Sequence, residues 1–159
     1  LEDEDGIVRR NYDSHEGELN DMAMALPVVG RWTVRITNIS GSSEYFDRGA
    51  VTYSNEAKTE MLGVPKELIE RYGAVSKEVA AAMAQGIRQA ARTDLGLAVT
   101  GVAGPGGGTA QKPVGLVYMA LASAQGVKTA EHRFLGEREQ VRVKASLAAL
   151  DMVRKHLIG

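Results

Sequence analysis

The sequence predicts an α/β fold in a single domain, because apolar runs typical of strands alternate with segments of helical periodicity. Residues 114–122 form the most apolar run of the chain, which predicts a central strand buried on both faces. Residues 77–93 repeat small and apolar side chains at helical spacing, and such a face can lie close on a sheet. At 159 residues the chain is long enough for one domain with a substantial core.

The composition argues against several classes of function. A net charge of −1 leaves no electrostatic footprint for nucleic acid or for an anionic membrane surface. No run approaches the length of a transmembrane helix. The absence of cysteine rules out disulfides, thiolate catalysis and zinc-thiolate sites, and it fits a cytoplasmic protein. The three histidines, His15, His132 and His156, are too scattered to predict a metal site.

The first part of the chain differs from the rest in composition. Residues 1–21 are acidic and polar, which predicts a linker or loose arm, or the junction to an upstream domain. The folded domain is predicted to comprise residues 22–159. Its first element is predicted to be a short helix over residues 21–24, ahead of Pro27.

Turn and cap residues divide the middle of the chain into short elements. A turn at residues 41–43 is predicted to lead into a short helical piece at 44–47 and a strand at 50–54. Asn55 is predicted to cap a helix at 56–62. The later elements are predicted as follows: helices at 65–72 and 77–93, the latter capped by Ser76; strands at 97–103, 114–122 and 128–134, the last at an edge of the sheet; and a helix at 138–157 that buries Val143, Leu147, Leu150, Val153 and Leu157.

Residues 41–58 bring two serines, a tyrosine and a lysine close together in sequence. Lys58 would fall in the first turn of its helix, where the helix dipole disfavours a cation and lowers its pKa, the more so if the amine is buried. A lysine with a lowered pKa is the base that a Ser/Lys hydrolase needs. Spacing alone, however, favours a solvated surface lysine and a Ser43 that merely caps a helix.

A glycine-rich segment, residues 104–109, follows the strand at 97–103. Such a loop leaves backbone amides open to a phosphate or a ribose. It is neither a Walker loop nor a dinucleotide fingerprint, because no Gly-Lys-Ser/Thr follows and Pro113 leads into another strand. A flexible hairpin connection explains it equally well. Arg138, at the start of the last helix, could lie beside an anion held by the helix amides, or could be a surface arginine.

Six motif pieces carry a resemblance to a known family. They are Arg35-Ile-Thr-Asn-Ile-Ser-Gly-Ser-Ser43, Arg48-Gly-Ala-Val-Thr-Tyr-Ser-Asn-Glu-Ala-Lys58, Gly73-Ala-Val-Ser76, Val99-Thr-Gly-Val-Ala-Gly-Pro105, Lys112-Pro-Val-Gly115 and Gly136-Glu-Arg138. With these pieces in order, the chain resembles the CinA C-terminal domain family, the nicotinamide-nucleotide amidohydrolases. The resemblance implies a three-layer α/β/α sandwich around a mixed sheet. It also implies hydrolysis of the carboxamide of nicotinamide mononucleotide to nicotinate mononucleotide and ammonia.

The resemblance also implies roles for individual residues. Ser43 would be the nucleophile or an activating hydroxyl, Lys58 its base, and Tyr53 a proton relay or hydrogen-bond donor. The residues implied to bind the substrate are Gly41, Ser42, Thr100, Gly101, Gly104, Gly106 and Arg138. The partner implied is a small nucleotide, with no metal and no cofactor.

The chain departs from the family in one motif. Members carry Ala-Glu-Ser-Cys-Thr-Gly-Gly upstream, and counting back from Ser43 places that motif on residues 24–30, where only Gly30 agrees. This departure keeps two alternatives open: a non-catalytic nucleotide-binding or regulatory domain of the same fold, and a hydrolase of another nucleotide or amide. A sheet that lacked its first strand would expose apolar surface, so a homo-oligomer is expected.

Overall fold

The computed structural model of the chain describes residues 22–26 and 41–159. The predicted arm at residues 1–21 and motif positions 27–30 lie outside these ranges. The elements in chain order are β1 (Met22–Leu26), a 3₁₀ turn (Ser42–Glu44), β2 (Phe46–Val51), α1 (Asn55–Leu62), α2 (Lys66–Tyr72), α3 (Lys77–Ala91), β3 (Leu95–Gly101), β4 (Leu116–Ser123), β5 (Gly126–Arg133) and α4 (Arg138–Ile158).

The strands form one mixed sheet in the order β2-β1-β3-β4-β5. β1 pairs in parallel with β2 on one side and with β3 on the other, whereas β3, β4 and β5 pair antiparallel. β5 lies at an edge, as predicted. β4 lies inside the sheet and is mostly buried, although the middle position belongs to β3 rather than to β4.

The prediction of a helix at residues 21–24 is wrong, because Met22–Leu26 is a strand. Its backbone is hydrogen-bonded to neighbours on both sides, and such pairing overrides a weak local preference. The sheet therefore does not lack its first strand, and the stated reason to expect association no longer applies.

One face of the sheet is covered by α3. The predicted apolar stripe of this helix is confirmed at Val79, Ala80, Met83, Ala84 and Ile87, which are all buried. Opposite them the strands present small side chains, Ala98, Ala120 and Ala122. The approach is so close that a Cβ at Gly96 would collide with the carbonyl of Ala84. Small residues on both sides therefore let the helix lie flat against the sheet.

The other face is covered by α4, and the predicted stripe is confirmed only in part, at the buried Val153 and the partly buried Leu150. Its buried residues are Val141, Ala145, Ala149 and Val153, while Leu147 and Leu157 are 62% and 52% exposed. On this face the large side chains come from the strands, among them Leu97, Met119 and Leu121. Small helix residues fit against them best, so Leu147 and Leu157 are turned away. With helices on both faces, the three-layer α/β/α sandwich is confirmed.

Two predictions about the elements near residues 42–62 need correction. The helical piece predicted at residues 44–47 is a 3₁₀ turn at Ser42–Glu44, and the strand begins at Phe46 rather than at residue 50. Helix α1 is capped by Ser54, not by Asn55, because the Ser54 hydroxyl accepts a hydrogen bond from the Ala57 amide at 3.0 Å. None of the helices that the structure describes has the length and apolarity to span a bilayer.

Candidate functional site

The carboxyl ends of the parallel strands β1, β2 and β3 meet at one edge of the sheet. In open α/β sheets this edge is where ligands bind. A cavity of about 280 Å³ opens here. Its lining includes Tyr53, Lys58, Ala74, Thr100, Gly104 and Arg138.

Lys58 is the buried cation of this cavity, with 3% of its surface exposed. The side chain folds back from α1 onto the turn after β2. Its Nζ donates to the carbonyl of Thr52 at 2.8 Å and to that of Ser54 at 3.1 Å, with a longer contact of 3.5 Å to the Tyr53 carbonyl. Among the described residues no carboxylate lies within ion-pair distance of this amine. The hydrogen bonds of this amine in the described part of the chain all go to backbone carbonyls.

Burial lowers the pKa of Lys58, and the carboxylate of Glu56 opposes this effect weakly. The predicted direction is therefore confirmed, although the main cause is desolvation rather than the helix dipole. With Ser54 as the cap, Lys58 is the fourth residue of α1. An amine that loses its proton more readily than an ordinary lysine is able to act as a general base.

The lowered pKa predicts a pH-dependent stability. Between the folded pKa and the ordinary value of about 10.4, the unfolded chain binds the proton that the folded protein has released. Raising the pH through this interval should therefore stabilise the wild type relative to Lys58→Met, by about 1.4 kcal/mol for each pH unit by which the pKa is lowered. Urea unfolding at pH 7 to 10 measures this difference, and parallel curves for the two proteins would contradict the assignment.

Tyr53 and Thr100 both reach the cavity, in different environments. Tyr53 is 76% exposed and lies at the rim. Thr100 is buried, and its hydroxyl donates to the carbonyl of Ala74 at 2.9 Å. Thr100 thereby fixes the end of β3 to the segment after α2. The predicted glycines Gly101, Gly104 and Gly106 also line the cavity.

Arg138 lines this cavity and also a neighbouring one of about 570 Å³, which contains Glu137 and Glu139. Its guanidinium donates to the carbonyl of Gly104 at 2.7 Å, so it anchors the glycine loop. Glu137 and Gln140 form a capping box at the start of α4, which engages two of the amides expected to capture an anion, those of residues 137 and 140. An anion here would also meet the remaining donors of the guanidinium.

The predicted pairing of Ser43 with Lys58 is not observed. Ser43 lies on the 3₁₀ turn that precedes β2, whereas the Lys58 amine lies just past the other end of that strand. Six extended residues separate the two ends by about 17 Å. Gly41 and Ser42 belong to the same 3₁₀ turn and its cap, and neither residue lines the cavity. Closeness in sequence was misleading, because an extended strand runs between the two side chains.

Two parts of this edge were not assigned a role from the sequence. Ala74 and Val75 form a wall of the cavity, and the signal was present, since Gly73-Ala-Val-Ser76 is one of the motif pieces. The second part is the end of β1, where Leu26 is in register with Val51. In the count that places the family motif on residues 24–30, the motif serine falls on this position. Position 26 is paired with Val51 and so lies next to the turn whose Thr52 carbonyl accepts a hydrogen bond from the Lys58 amine.

Comparison with known proteins places this geometry in a family. The model of the CinA C-terminal domain matches residues 28–157. A CinA-like protein of Geotalea uraniireducens is 56% identical over 125 residues, which are 79% of this chain and 30% of that protein. A CinA-like protein of Geobacter sulfurreducens is 53% identical over 124 residues, 78% of this chain and 30% of that protein. The chain therefore spans about 30% of the length of these curated relatives.

Solved structures share both the fold and part of the sequence. The competence/damage inducible protein CihA from Agrobacterium tumefaciens is 41% identical with a TM-score of 0.82, covering 86% of this chain and 84% of that one. A competence-damaged protein (CinA) superfamily protein from Escherichia coli is 32% identical with a TM-score of 0.80, covering 84% and 78%. The sequence match over most of the chain and the shared sandwich agree. The chain belongs to the CinA C-terminal domain family.

Proposed function

We propose that this sheet edge binds nicotinamide mononucleotide and hydrolyses its carboxamide, with Lys58 as the general base. The observation that carries the proposal is the buried amine of Lys58, which has a lowered pKa and borders the same cavity as the glycine loop and Arg138. Lys58 suits an amide that must exchange protons, and the glycine loop with Arg138 suits a phosphate. The choice of a nicotinamide nucleotide rests on the motif resemblance.

The proposed reaction adds water to the carboxamide carbon. The neutral amine of Lys58 takes a proton from the attacking water as the carbon–oxygen bond forms. The carbon–nitrogen bond then breaks, and the same proton returns to the leaving nitrogen, so that ammonia and nicotinate mononucleotide depart. Tyr53, at the rim, is the proposed hydrogen-bond donor to the oxygen that gains negative charge. Water acts directly because no hydroxyl among the described residues is hydrogen-bonded to the Lys58 amine.

The position of Ser43 and the leucine at position 26 favour a second candidate, a domain that binds the nucleotide without turning it over. Both candidates predict the same binding site, and they differ in whether ammonia is released. A third reading, hydrolysis of another nucleotide or amide, has no observation of its own in its favour.

The substrate is tested by comparing nicotinamide mononucleotide with nicotinamide riboside, which lacks the phosphate. If Arg138 meets the phosphate, the riboside should bind at least about tenfold more weakly, since a charge-assisted bidentate contact is lost. Arg138→Gln should reduce this preference. Calorimetric titration measures binding, and an ammonia assay on the same samples measures turnover. Equal affinity for the two ligands would contradict a phosphate site, and binding without ammonia would select the second candidate.

A further inference from the structure

Two motif pieces of the sequence have no role in the reaction just described, yet they touch each other. Gly73-Ala-Val-Ser76 follows α2, and Lys112-Pro-Val-Gly115 ends the glycine loop. The Lys112 ammonium donates a short hydrogen bond to the carbonyl of Tyr72, the last residue of α2. This carbonyl belongs to the last turn of the helix, where carbonyls lack partners within the helix and a cation is favoured.

Gly73 makes room for this contact. A Cβ at position 73 would lie 2.5 Å from the Lys112 Nζ, so a side chain there would force the ammonium to move. The backbone of Gly73 also has a φ of +75°, which L residues rarely adopt. The positive φ requires glycine at this position, and the missing side chain leaves the space that the Lys112 ammonium occupies.

The segment that Lys112 reaches is a wall of the cavity. Ala74 and Val75 line it, and the Ala74 carbonyl accepts the hydrogen bond from Thr100. The Ser76 hydroxyl donates to the Gly73 carbonyl at 2.9 Å and caps α3. This wall is therefore fixed to the end of β3 and to the start of α3, which makes it a firm support for the glycine loop.

The loop of residues 104–112, which contains the glycine-rich segment, is attached at both of its ends. Arg138 holds the Gly104 carbonyl at one end, and Lys112 holds the wall at the other. A turn in which the Thr109 amide donates to the Lys112 carbonyl and the Lys112 amide donates to the Thr109 hydroxyl closes the far part of the loop. Between these attachments residues 105–111 are exposed. Lys112 is thus the side chain that links the loop to the wall, while Arg138 links it to α4.

We propose that Lys112 is a positioning residue of the nucleotide site, which holds the glycine loop against the wall formed by residues 73–75. The ammonium does not line the cavity, so it acts through the loop rather than on the ligand. Its effect on affinity rests on the proposed function, whereas its effect on the loop does not.

The test compares Lys112→Met with Lys128→Met, a control on the edge strand whose exposed lysine makes no hydrogen bond or ion pair among those described. In Lys112→Met the amide protons of Thr109 and of residue 112 should exchange with solvent at least about tenfold faster. The affinity for nicotinamide mononucleotide should fall about 5- to 20-fold, because the loop must be ordered on binding. Lys112→Arg should restore most of the protection from exchange and most of the affinity. Lys128→Met should change neither quantity.

A second variant adds a check on the contact. Gly73→Ala should displace the ammonium and raise exchange in the same loop, and any further exchange that it causes in a Lys112→Met background measures the backbone strain at the positive φ of residue 73. Unchanged exchange in Lys112→Met overturns the proposal. A fall in affinity without faster exchange also overturns it, because it would make Lys112 a direct ligand of the nucleotide. If the wild type does not bind the nucleotide, the proposed function fails, while the exchange rates still decide the role of Lys112.

Discussion

Lys58→Met is expected to lower kcat/KM for ammonia release from nicotinamide mononucleotide by about 10²- to 10⁴-fold, the usual contribution of a general base. Methionine matches the length of the lysine stem but cannot accept a proton. The affinity for the nucleotide should change little, because the amine is held by backbone carbonyls and, in the proposed complex, would face the carboxamide rather than the phosphate. Ammonia release under single-turnover conditions measures the chemical step directly.

The matched control for this change is Lys66→Met, in the exposed first turn of α2. Its kcat/KM should equal that of the wild type. An unchanged rate in a folded Lys58→Met would show that this amine is not the base. A pH profile adds a second check, because the wild-type rate should rise with pH as the amine loses its proton and then level off.

Leu26→Ser is expected to raise the rate of ammonia release, on the order of 10²-fold, because it supplies a hydroxyl nucleophile where water now acts alone. Position 26 is paired with Val51 across a strand spacing of about 4.8 Å. The next residue after Val51 is Thr52, whose carbonyl holds the Lys58 amine. The backbone at position 26 therefore runs next to the turn that holds the base.

Two variants test this prediction further. Leu26→Ala removes the same apolar volume without adding a hydroxyl, so its rate should remain that of the wild type. Adding Lys58→Met to Leu26→Ser should cancel the gain, because the serine needs the amine to accept its proton. A rate in Leu26→Ser no higher than in Leu26→Ala would place position 26 outside the reacting centre.

Most of the fold could be predicted from the sequence, because local signals agreed with the tertiary structure. Ser76 caps α3 as expected, and the small-residue face of that helix covers the sheet. The buried side of α4 could not be predicted, because helical periodicity shows two apolar sides and the strands decide which is used. Leu147 fits the predicted stripe equally well, yet the sheet supplies the large side chains and selects Ala145 and Ala149.

The candidate site, too, could be predicted only in part from the sequence. Thr100 lies near the carboxyl end of β3, and Lys58 and Arg138 lie in the first turns of helices; strand direction brings such positions together. Ser43 was assigned from the motif resemblance, and an intervening strand removes it from the site. The contact between Lys112 and the end of α2 joins residues 40 apart, and no local pattern signals it.

The central claim is that the Lys58 amine faces the reacting carbon of a bound nicotinamide nucleotide. A crystal structure of the protein with nicotinate mononucleotide, the product that cannot react further, tests it most directly. The account predicts a carboxylate oxygen within hydrogen-bond reach of Nζ, about 2.6–3.2 Å or through one water, and the phosphate beside Arg138. A product bound away from this edge of the sheet, or with its carboxylate turned away from Lys58, would contradict the account.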